Sequence, residues 1–120
     1  MPKLIGSPTR VDAMGNKNKL CDEYFGIVNT GDMKLSVTQM HSPSGWEGPA
    51  RYSDFHEYIV VTTGQLNVEH AGGIMQVEAG QAVHIVPNES VILSTPNEGG
   101  CEYLSVCTPA YSRADVHLVQ

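Results

Sequence analysis

The stretch from Gly45 to Gly64 constrains this chain more than any other. It opens in a loop, Gly45-Trp-Glu-Gly-Pro-Ala, and passes through Arg51, Ser53 and Glu57. It ends in the run Tyr58-Ile-Val-Val-Thr-Thr63 before Gly64. Every residue of that run is β-branched or aromatic, so it loses side-chain freedom in a helix and packs well on a pleated sheet. A second stretch, Gly80 to Thr95, repeats the plan: a glycine, a short apolar strand to Val86, the turn Pro87-Asn88, and the apolar run Val91-Ile-Leu93. No amphipathic helix of any length lies elsewhere, so these strands must bury their apolar faces against other strands.

The rest of the chain reads as further short strands. Thr9-Arg-Val11 is a brief one, and Gly15-Asn-Lys-Asn-Lys19 is a loop. Tyr24 to Val28 forms a strand closed by Asn29-Thr-Gly-Asp32. Leu35 to His41 alternates, with Leu35, Val37, Gln39 and His41 on one face. A strand at Glu57–Thr63 closes at Gly64. Gln65–Glu69 and Ile74–Glu78 form a hairpin about Ala71-Gly-Gly73. Ala82–Val86, Ser90–Thr95 and Cys101–Thr108 follow. Asn88 sits where the turn favours a left-handed backbone, which Asn tolerates best among residues with a side chain. About eight to ten strands, punctuated by 12 Gly and 7 Pro, predict a sandwich or barrel. At 120 residues the expectation is one domain, 1–120, with a polar arm at 1–22 and a tail at 109–120 holding at most one helical turn.

The two stretches, 45–64 and 80–95, resemble the two motifs of the cupin superfamily. The first motif runs glycine, five residues, His-x-His, three or four residues, glutamate, six residues, glycine. The second runs glycine, five residues, Pro-x-Gly, two residues, histidine, three residues, asparagine. The spacings match at each step, and the resemblance implies an all-β cupin fold, a double-stranded β-helix or jelly-roll barrel. The strands at 57–61, 90–96 and 103–106 further resemble the ethanolamine-utilisation type of cupin. The tail from Pro109 to His117 resembles the end of ectoine-synthase-like cupins. The ligands depart from the pattern. Where metal-binding cupins place three histidines, this chain has Arg51, Ser53 and Val91, and of the four usual ligands only Glu57 remains.

The resemblance and strand alternation together place Arg51, Ser53, Glu57, Ile59, Val61 and Val91 inside the barrel, and Asp54, His56 and Tyr58 on the other face. A buried arginine and glutamate need partners. Three arrangements provide them: an Arg51–Glu57 ion pair; Arg51 holding an anionic ligand with Glu57 as catalytic acid or base; or a metal on Glu57 and residues outside the motif. Facing Ile59 and Val61 alone, Glu57 would have its pKa raised toward neutrality. Paired with Arg51 it would have it lowered and be a poor base. Arg51, Ser53, Tyr52, Trp46 and Tyr103 are the substrate-binding candidates, although Tyr103 also reads as a core aromatic and Trp46 as a lid or dimer anchor. The metal candidates are His41, His56 and Glu57, with Asp54 and His84 as reserves. Their mixed N/O chemistry would suit Fe, Mn, Ni or Zn without choosing among them.

Charge and cysteine usage set the remaining bounds. The formal charge is −6, and no Lys/Arg cluster exceeds Lys17-Asn-Lys19, which speaks against nucleic acid and anionic membrane as partners. Cys21, Cys101 and Cys107 form no CxxC pair, as in a reduced, cytoplasmic protein. The expected function is a small cupin that binds a polar, anionic metabolite and acts as lyase, isomerase or cyclase through Glu57. The alternatives are a metal-dependent dioxygenase or lyase and a non-catalytic accessory cupin. The expected partners are that small molecule and a second copy of the chain.

Overall fold

A computed structural model describes residues 1–119. Its strands are β1 (Thr9–Val11), β2 (Leu20–Phe25), β3 (Ser36–Ser42), β4 (Trp46–Glu47), β5 (Arg51–Ser53), β6 (His56–His70), β7 (Gly73–Glu78), β8 (Ala82–Ile85), β9 (Ile92–Thr95), β10 (Cys101–Thr108) and β11 (Val116–Leu118). Pairing is antiparallel. The main sheet runs β1-β2-β3-β10-β6-β9-β4, with β7 and β8 also on β6, and β5 pairs with β11 separately. Among the described residues no helix is long and apolar enough to cross a membrane.

β6 organises the barrel. Residues 56–64 pair with β10 and residues 57–60 with β8; residues 65–70 then pair with β7 and 67–69 with β9. The sequence suggests that a strand ends at Gly64. Instead the strand turns a corner there, with φ at +79°. A Cβ at Gly64 would stand 2.2 Å from the carbonyl oxygen of Gly100, so only glycine lets the two backbones approach. Asn88 takes φ +68°, as its position in the turn leads one to expect.

Inward residues follow the period of two. On β10 the buried positions are Cys101, Tyr103, Ser105 and Cys107, and on β6 they are Glu57, Ile59 and Val61. One apolar cluster gathers Trp46, Ile59, Val61, Leu66, Leu93 and Tyr103 with their neighbours. A smaller one joins Phe55, Cys107 and Val116, with Met14 and Tyr111 against it. Glu57 and Ser105 lie between the two.

The expected alternation on β3 holds: Val37, Gln39 and His41 share the outer face, and Ser36, Thr38 and Ser42 are buried. Two expectations are corrected. The strand expected at 24–28 lies at 20–25, because the buried Glu23 carboxylate accepts the backbone N–H groups of Val28 and Asn29 at 3.0 and 2.9 Å and folds that segment into a loop. The tail carries a 3-10 turn at Arg113–Asp115 and then β11, which completes a two-stranded sheet.

Candidate functional site

The barrel encloses a cavity of about 100 Å³. Its wall is mostly apolar, including Met14, Met40, Trp46, Phe55, Leu93 and Tyr111. Its polar groups are few: Lys19, Arg51, Glu57, Thr38, Ser105 and Tyr103, with the exposed Asp12 at its edge and the thiols of Cys21 and Cys107. A concave apolar wall with a few converging polar groups is the ordinary form of a small-molecule site.

Arg51 and Glu57 pair inside it. Arg51 Nη2 donates to Glu57 Oε1 at 2.8 Å and Nη1 donates to Ser53 Oγ at 3.2 Å. Ser105 Oγ donates to Glu57 Oε2 at 2.6 Å. Burial alone would raise the Glu57 pKa, but the Arg51 charge and the hydrogen bonds from Ser105 and Arg51 outweigh it and hold the carboxyl below its ordinary value. Of the two outcomes the sequence left open, the paired one is realised. A carboxylate so held is a weak base.

The second polar group is one the sequence reading assigned to a loop. Lys19 directly precedes β2, and alternation with the buried Cys21 and Glu23 turns it inward. Its ammonium stands 3.9 Å above the Trp46 ring and 4.8 Å from the centre of the Tyr103 ring, and it donates to Tyr103 Oη. Among the described residues no carboxylate lies in ion-pair range of it. Desolvation lowers its pKa to about 8, against smaller opposing effects from Cys21 and Glu57. Burial holds the Tyr103 phenol far above its ordinary value, so it stays protonated. Starting the strand at residue 19 would have revealed the lysine in the sequence, through the alternation Lys19, Cys21, Glu23.

The other candidates are scattered. Trp46 is buried at 4% exposure, and its Nε1 donates to the Met14 carbonyl at 3.0 Å; it forms part of the cavity wall rather than a surface lid. Tyr103 is fully buried and reaches the cavity. Ser53 is buried behind Arg51 and supports it. Tyr52 points away from the cavity, because its neighbours Arg51 and Ser53 point in, and it stacks on His117 at 5.0 Å. His41 pairs with Glu102 at 2.8 Å on the outer sheet face. His56 contacts His84 at 2.9 Å, also outside, where Tyr58 stacks on His84 at 4.2 Å. Asp54 accepts from His117 at 3.0 Å on the surface. None of these histidines meets Glu57, and among the described residues no three His, Cys, Asp or Glu side chains converge to hold a metal. The cupin metal position does not fit this chain: a guanidinium lies against the one remaining ligand, whose two oxygens already accept from Arg51 and Ser105.

No family model matches the sequence. The chain is 31% identical over 100 residues to the Endoribonuclease YbeY of Myxococcus xanthus (strain DK1622), a match covering 83% of this chain and 34% of that protein. It thus spans about a third of that relative's length. Among solved structures, a cupin-like protein from Thermotoga maritima superposes with a TM-score of 0.76 at 14% identity, over 98% of this chain and 89% of that one. The fold is a cupin barrel. The polyketide cyclase RemF of Streptomyces resistomycificus shares it with a TM-score of 0.76 at 20% identity, over 100% of this chain and 86% of that one. So does Streptomyces Pac13, a nucleoside dehydratase, with a TM-score of 0.72 at 15% identity, over 100% of this chain and 91% of that one.

Proposed function

We propose that this cupin barrel binds a small, polar, anionic metabolite in its cavity and acts on it by proton transfer, as a lyase, isomerase or cyclase. The observation that carries this reading is the Lys19 ammonium, held in a mostly apolar cavity with no carboxylate in ion-pair range among the described residues, and hydrogen-bonded to Tyr103. Arg51 and Glu57 neutralise each other and Asp12 lies at the exposed edge of the wall, so the Lys19 ammonium is the inner charge without a carboxylate partner, suited to an anion or a developing oxyanion. The working acid and base are then Lys19 and Tyr103. Glu57, expected from sequence to do that work, keeps Arg51 in place. Arg51 uses two of its five N–H donors on Ser53 and Glu57, which leaves others for a ligand carboxylate.

Fold likeness to a cyclase and a dehydratase accords with such chemistry. The endoribonuclease activity named for the Myxococcus protein forms no part of this reading, because the chain spans about a third of that protein's length and its net charge of −6 does not favour a polyanion. The expected protein partner is a second copy of the chain. It would cover the outer sheet face, where Tyr58 and Val60 are 42% and 45% exposed.

A thermal-shift screen of small carboxylates, with glycolate as the smallest, tests the reading. Stabilisation that vanishes in Lys19→Met and weakens in Tyr103→Phe is expected. Stabilisation by none of the acids, or equal stabilisation in Lys19→Met, would reject it.

A further inference from the structure

We infer that Lys19 captures a carbonyl compound: a small aldehyde or ketone bearing an acidic group enters the cavity and is held as an imine on Nζ. The inference rests on the cavity being a ligand site, as proposed above, and names its substrate class and the covalent step.

An amine that attacks a carbonyl must be partly neutral, must reach the ligand, and must have a proton donor for the departing oxygen. Lys19 meets all three conditions. Its Nζ lines the cavity and is flanked by the faces of Trp46 and Tyr103 rather than by a carboxylate that would hold it charged. The titratable groups around it are Cys21 on β2, Glu57 on β6, Arg51 on β5, and Tyr103 and Cys101 on β10. The charge on Glu57 is already matched by Arg51. With the amine pKa lowered to about 8, roughly a tenth of the molecules carry neutral Lys19 at pH 7. Apolar desolvation is a known route to nucleophilic lysines.

The chemistry balances without any further reactant. Neutral Nζ adds to the carbonyl carbon, forming the C–N bond. The carbonyl oxygen takes one proton from the Tyr103 hydroxyl, which recovers it from the nitrogen. The proton that the Lys19 ammonium released to water on becoming neutral returns to the oxygen, which leaves as water, and the imine remains in its protonated form. That iminium is an electron sink for breaking an adjacent C–H or C–C bond. The free N–H donors of Arg51 are placed to hold the acidic group.

Glyoxylate, with sodium cyanoborohydride to reduce the imine, is the probe. Peptide mass mapping should place carboxymethylation on Lys19, at a rate on the order of a hundredfold above the exposed Lys3, Lys17 and Lys34 at pH 7, as the ratio of neutral amine implies. The rate should rise through a midpoint near pH 8 and fall at least several-fold in Tyr103→Phe, whose fold is checked by its melting temperature. Labelling of Lys19 no faster than of Lys17, or none at all, overturns the imine. If glycolate still stabilises the unlabelled protein, only the imine falls. If glycolate also fails, the ligand-site reading falls with it.

Discussion

Arg51 and Glu57 stand six positions apart in the chain and join at 2.8 Å inside the barrel, with 12% and 8% of their side chains exposed. Removing one partner leaves a buried charge uncompensated. Arg51→Met should therefore cost about 3 kcal/mol or more in urea denaturation. Arg51→Met combined with Glu57→Leu should recover most of that loss, since an apolar pair of similar size needs no partner. Equal loss in the single and double variants would show that packing, not charge, holds this part of the barrel.

The same pair sets an acid limb. The Glu57 pKa is lowered in the folded state, so its contribution is present above the unfolded value of 4.5. It is lost as pH falls from there through the lower folded value. Stability measured below pH 4.5 should drop more steeply in the wild type than in Glu57→Gln. Parallel curves would refute the assignment.

Lys19 acts with the opposite sign. Its folded pKa of about 8 lies below the ordinary 10.5, so the unfolded chain binds the extra proton between those values. Stability should rise as pH increases from 8 to 10.5, and the penalty is fully present below 8. That penalty is about 3 kcal/mol from the size of the shift. Lys19→Met should flatten this limb and stabilise the protein near neutrality, provided the methionine packs as the lysine stem does.

Trp46 is the single tryptophan, and the ammonium lies 3.9 Å from its ring. Its emission should titrate with a midpoint near pH 8, and the transition should disappear in Lys19→Met. A midpoint near that of a free lysine would place the amine in water.

Gly64 and Gly31 share a left-handed backbone, at φ +79° and +77°, but differ in surroundings. An added Cβ meets nothing within 4 Å at Gly31 and a carbonyl oxygen at 2.2 Å at Gly64. Gly31→Ala should cost about 1 kcal/mol from the backbone alone. Gly64→Ala should cost at least about 2 kcal/mol more, because two strands must part. Comparable melting temperatures for the two variants would show that the corner yields easily.

The sequence by itself determined the all-β class, the left-handed Asn88 and the common face of Glu57, Ile59 and Val61. These follow from local chemistry: β-branched runs, turn residues, and alternation counted along one strand. It left open which partner Arg51 takes, since a guanidinium beside a carboxylate and one beside a ligand have the same spacing. Alternation also fixes which residues share a face without saying which face meets the core, so His41 fell on the outer face while Ser36 and Thr38 turned in. Lys19 was the larger omission. It meets Tyr103 from 84 residues away, with β3 between their strands, and that contact exists only once the sheet is ordered and curled. Only the tertiary structure decided that a lysine from a polar loop would be stripped of water between two aromatic rings, because desolvation depends on what the rest of the barrel places around it.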